Sequence, residues 1–114
     1  MSTNKSELLL GTLDMLALRT LALEPMHGWG LSLRIEQISR GVFQINQGSL
    51  YPALQRLKRK GLITSEWRMS ENNRRARYYE ITRAGRKQLK QEVAEWGKIT
   101  GAVNRILTVA PLEV

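Results

Sequence analysis

Between Val42 and Ile81 the periodicity of the chain changes twice, and this restricts the possible folds more than any other feature. The short apolar run at residues 42–45 predicts a short strand, and Asn46 behind it has a side chain suited to cap a helix. Leu50, Leu54 and Leu57 then recur at helical spacing, so residues 47–60 are expected to form a helix with one apolar face, stopped by Gly61. From Ile63 the period drops to two. Ile63, Ser65, Trp67 and Met69 alternate with Thr64, Glu66 and Arg68, and beyond the turn SENN, Arg77, Tyr79 and Ile81 alternate with Tyr78 and Glu80. This predicts a β-hairpin with one half-buried face. A basic helix followed by a charged hairpin is the layout of a winged helix-turn-helix, in which the helix enters a DNA groove and the hairpin grips the flanking backbone.

Charge is concentrated in the same stretch. Residues 56–87 hold eleven basic side chains against three acids, which accounts for the whole net charge of +8, while the remainder of the chain balances. A polyanionic partner requires such a focused patch, whereas solubility alone does not. At the hairpin tip Arg74, Arg75 and Arg77 crowd together. Like charges at that spacing repel unless something anionic lies against them.

With 114 residues the chain is long enough for one core but not for two enzymatic lobes. Lacking cysteine, it has neither a disulfide scaffold nor a thiolate metal site, and its single histidine, His27, cannot build a zinc site alone. His27 precedes Gly28 at a helix start and is read as a structural cap. The apolar stretch at residues 8–23 is broken by Asp14 and Arg19 and is no membrane span, and Glu7 directly before it argues against a signal peptide. A cytoplasmic location is expected. Acids are sparse and neither GxSxG, a P-loop nor HExxH occurs, so no catalytic residue, metal or cofactor is expected.

The rest of the chain reads as helices. Leu9, Leu13, Leu16 and Thr20, with Leu10, Ala17 and Leu21 beside them, predict a first helix over residues 7–23. A second is expected over residues 28–39, burying Leu31, Ile35 and Ile38, with Gly41 as its left-handed stop. In the third, Pro52 leaves the carbonyl of Gly48 without its partner. Either Ser49 is the true N-cap or the first turn is distorted, and a full-length helix with a local irregularity is expected. Thr82 is the predicted N-cap of a last helix to about residue 109, along which Leu89, Val93, Trp96, Thr100, Val103 and Leu107 form a heptad stripe widened by Ile99 and Ile106. That stripe has no second core of its own, so it is expected to meet the same helix of a second subunit, with Leu9 and Leu13 of the first helix contributing. The expected fold is mainly α, of the α+β class. A winged helix-turn-helix domain with a two-stranded wing occupies residues 1–82, and a long C-terminal dimerisation helix and tail occupy residues 83–114.

Candidate DNA-binding residues are Gln47, Ser49, Gln55, Arg56 and Arg59 on the third helix and Arg74, Arg75 and Arg77 on the hairpin, all able to donate to phosphates or base edges. Tyr51 reads equally as a packed core residue and as a contact, and the run Lys58, Arg59, Lys60 reads more simply as a solvated helix end. Trp96 on the dimer stripe is the candidate effector-binding residue, since two copies facing each other would sandwich a flat aromatic ligand; packing explains it as well.

The runs GSLYPALQRLKRKGLI and RRARYYEITRAGRKQL, with HGW at residues 27–29, resemble the PadR-like transcriptional regulators, and the resemblance extends over residues 8–107. The G-x-L-Y-P-x-L-x-R-L segment from Gly48 to Leu57 is its most specific part. The resemblance implies a homodimeric repressor that binds a palindromic operator, with Ser49, Tyr51, Pro52 and Arg56 at recognition-helix positions and Arg74, Arg75 and Arg77 at the wing tip. The length suits a compact branch with a single C-terminal helix. Trp29, where the family usually has tyrosine, departs from the pattern. Some members respond to phenolic or planar aromatic compounds. Other uses of such a fold are binding RNA or a protein partner, and packaging DNA with little sequence preference.

Overall fold

The computed structural model describes residues 2–111, with residues 2–11 described by backbone alone. Four helices and three strands follow in the order α1 (Ser2–Leu21), β1 (Met26–His27), α2 (Gly28–Ile38), α3 (Gln47–Arg59), β2 (Ile63–Met69), β3 (Arg75–Ile81) and α4 (Arg83–Thr108). The core is built where α1, α2 and α3 turn their apolar faces inward: Leu13, Ala17, Leu18 and Leu21 meet Leu31 and Ile35, and Leu50, Ala53, Leu54 and Leu57 close over them. The inner ends of the hairpin, Ile63, Tyr79 and Ile81, seal one side. The outcome is the expected α+β winged helix-turn-helix, with one long helix leading away from it.

Local chemistry sets the boundaries. His27 Nδ1 accepts from the Gly30 amide at 3.0 Å and caps α2, Asn46 accepts from the Ser49 amide at 2.9 Å and caps α3, and Thr82 accepts from the Gly85 amide at 3.0 Å and caps α4. Each accepted bond satisfies an amide that the first helical turn leaves free. Of the two readings of Pro52, the full-length helix holds: α3 is capped by Asn46, starts at Gln47 and runs through the proline. Gly61 ends it at φ +74° and Gly41 follows α2 at φ +81°, both in the left-handed region where glycine meets no steric penalty.

Several expectations are corrected. Residues 42–45 form no strand; Phe43 and Ile45 tuck against the core while the backbone remains irregular. The third strand lies elsewhere, in β1, which pairs antiparallel with β3 through Met26–Tyr79 and His27–Tyr78, giving the sheet order β1-β3-β2. The wing thus belongs to a three-stranded sheet. Ile38 is exposed, because α2 passes the edge of the core after Ile35. The apolar side of the hairpin is buried only at its base, leaving Trp67 and Met69 in solvent.

The start of α4 is fixed tightly. Thr82 donates its amide to the Leu62 carbonyl and its hydroxyl to the Gly61 carbonyl, and a Cβ at Gly85 would stand 2.1 Å from the Leu62 carbonyl oxygen. Only glycine lets the helix approach the α3–β2 turn so closely. Past Leu89 the helix leaves the core, and Val93, Trp96, Ile99, Val103, Ile106 and Leu107 are all exposed. Among the described residues, no helix is long and apolar enough to cross a membrane.

Candidate nucleic-acid interface

Helix α3 buries Leu50, Ala53, Leu54 and Leu57, so its opposite side is left to solvent by the helical repeat. There Gln47, Tyr51, Pro52 and Arg59 are exposed, Tyr51 at 56%, with Ser49 and Gln55 half-buried. The phenol of Tyr51 is therefore a surface group and no core residue. Gln47 also has an internal task. Its Nε2 donates to the Gly28 carbonyl at 3.2 Å and to Ser32 Oγ at 3.1 Å, clasping the start of α3 to the start of α2 and leaving Oε1 as its remaining polar atom.

Gln47 and Tyr51 of α3 and Arg77 of β3 line a single open groove of about 260 Å³, together with Trp29 at the start of α2 and Tyr79 on its floor. Helix and wing thus share a continuous surface. Burial lifts the Tyr79 phenol above the ordinary tyrosine range; neighbouring Tyr51 adds to the shift and Arg77 opposes it.

The wing cations divide. Arg74 and Arg75 are exposed near the tip, and Arg77 donates Nε to Ser65 Oγ at 3.1 Å. On the opposite side of the hairpin Arg68 is bonded to Glu66 and Glu80, and the Glu66 hydrogen bond, helped by the charges of both acids, holds its guanidinium above the ordinary arginine value. Arg68 is thereby neutralised.

The geometry reassigns three of the residues singled out in the sequence. Arg56 turns toward α1, where its Nη2 meets Asp14 Oδ1 at 2.8 Å, so its charge is paired within the protomer while part of the side chain stays exposed. Leu13 and Leu89, expected in a subunit interface, are buried in the protomer's own core. Leu9 lies among residues whose side chains are not described. Sequence reasoning missed the Gln47–Gly28 clasp and the stacking of Arg75 and Arg77 on Trp67; of these, only the second had a signal, the cross-strand placement of Trp67 and Arg77.

A sequence model of the transcriptional regulator PadR-like family matches residues 17–91, from the end of α1 through the wing and into α4. The chain belongs to this family. Among solved structures, this PadR-like chain is similar to a PadR-like transcriptional regulator of Bacillus cereus, with 28% identity and a TM-score of 0.79 over 91% of this chain and 99% of that one. It is also similar to a PadR family regulator of Eggerthella lenta, with 31% identity and a TM-score of 0.76 over 96% and 93% of the two chains. An uncharacterised protein of Lysinibacillus sphaericus is 30% identical over 95 residues, covering 83% of this chain and 87% of its own. The PadR-like family consists of transcriptional regulators, so this chain is a DNA-binding regulator and does not act by catalysis.

Proposed function

We propose that the protein is a cytoplasmic, homodimeric repressor that reads a palindromic operator. In this reading residues 1–82 bind DNA and residues 83–114 join the subunits. Helix α3 enters the major groove with Gln47, Tyr51, Pro52, Gln55 and Arg59, Ser49 flanks them, and Arg74, Arg75 and Arg77 hold the adjoining phosphates. Arg56 is left out, being paired with Asp14. The observation that carries the reading is the groove shared by Gln47, Tyr51 and Arg77, which puts the exposed side of α3 and a wing cation on one surface. Dimerisation is supported by the exposed apolar stripe of α4, Val93, Trp96, Val103 and Leu107, widened by Ile99 and Ile106. Trp96 is 40% exposed on that stripe. Two copies across a two-fold axis would form a slot for a flat aromatic effector that releases the DNA.

Selection of bound sequences from a randomised duplex library at physiological salt tests this. An enriched inverted repeat is expected, with half-sites about one helical turn apart. Salt-sensitive binding with no enrichment would overturn it in favour of a binder without sequence preference.

A further inference from the structure

The hairpin has two sides of different charge. Ser65, Trp67 and Met69 of β2 lie beside Tyr79, Arg77 and Arg75 of β3 on one side, which carries no carboxylate. On the other, Thr64, Glu66 and Arg68 lie beside Glu80, Tyr78 and Ala76, and Arg68 is paired with both acids. Burial does not explain Trp67: the core ends at Tyr79, opposite Ser65, and the indole one pair further out is 53% exposed. What the indole does hold is two cations. The guanidinium carbons of Arg75 and Arg77 stand 5.0 and 5.2 Å from its ring centre, within cation–π range. The register makes this possible, since Arg77 is directly opposite Trp67 and Arg75 is the diagonal neighbour.

Resting on the DNA-binding reading, we infer that Trp67 is a positioning residue that holds Arg75 and Arg77 ready for phosphate and makes its side of the hairpin the one that meets DNA. A carboxylate could also order an arginine, as Glu66 and Glu80 order Arg68, but it neutralises the charge and occupies the donors. An aromatic face orders the guanidinium while leaving its charge unpaired and, apart from the Arg77 Nε–H that Ser65 accepts, its edge N–H groups open to phosphate. Part of the entropy lost when the side chains bind is then lost already in the free protein.

The test is a set of titrations of a labelled mixed-sequence duplex at several salt concentrations. Trp67→Ala is expected to weaken binding roughly tenfold, the cost of ordering two arginine side chains anew. Trp67→Phe, which keeps an aromatic face, should stay near the unaltered protein. In an Arg75→Ala, Arg77→Ala background, Trp67→Ala should change affinity by less than about twofold, because nothing is left to position. A merely structural role predicts an equal loss in both backgrounds, and that result would overturn the inference. So would unchanged binding by Trp67→Ala while the unaltered protein binds duplex. Absence of duplex binding by the unaltered protein would instead remove the DNA-binding reading, and this inference with it.

Discussion

Arg56 of α3 and Asp14 of α1 are joined at 2.8 Å across the helix packing, with 32% and 18% of their side chains exposed. The pair ties one edge of α3 to α1, beside the buried Leu50, Leu54 and Leu57 that orient the helix. Arg56→Ala and Asp14→Ala should each lower stability by about 1–2 kcal/mol, and the double substitution should cost little more than either alone. Duplex affinity of folded Arg56→Ala should remain within about twofold of the unaltered protein. A loss matching that from a wing arginine would return Arg56 to the DNA surface.

The wing tip makes the contrasting case. Arg74 and Arg75 are exposed and have no acid partner among the described residues. Replacing both by alanine should weaken binding to every duplex alike and flatten the dependence of log K on log salt by about two. An unchanged slope would remove the wing tip from the interface.

The exposed stripe of α4 should fail on receiving a charge. Val103→Asp places a carboxylate among Ile99, Ile106 and Leu107, where a dry helix contact would have to desolvate it. Sedimentation should then find monomers, with operator affinity lower by at least about tenfold, because one half-site no longer assists the other. A dimer persisting at the same concentration would move the interface elsewhere.

Tyr79 sets an alkaline limit. Its phenol is raised above the ordinary value of about 10, first by burial, so the folded chain retains this proton longer than the unfolded one. Its contribution to stability is complete below the ordinary value and is lost as pH rises through the folded value. Comparing denaturation midpoints below and above pH 10, Tyr79→Phe should lose less stability than the unaltered protein. Equal losses would mean that another group governs the alkaline response.

Where one stretch of chain determines its own structure, the fold was legible in the sequence. Asn46 and Thr82 cap helices because the amide each serves is three residues ahead, and Leu50, Leu54 and Leu57 define a face by spacing alone. Strand β1 was not legible, since two residues carry no periodicity and Met26 and His27 become a strand only by pairing with Tyr79 and Tyr78. Arg56 and Arg59 look alike on paper, yet a carboxylate 42 residues away pairs the charge of one of them. The same holds for Leu89 and Val93, which share a heptad stripe although the protomer's core ends between them.

A single residue, Thr82, separates the wing from α4, and Gly85 seats that helix directly on the turn where α3 ends. No slack remains between the part that reads DNA and the helix proposed to join the subunits. In a dimer held along α4, the distance and angular phase between the two reading helices would be fixed as in a pair of calipers. One base pair inserted between the half-sites would then rotate the second out of phase by roughly 34–36°, as B-DNA has 10 to 10.5 base pairs per turn. The protein could follow only by bending α4 or the DNA, so operator length would be as strictly specified as operator sequence.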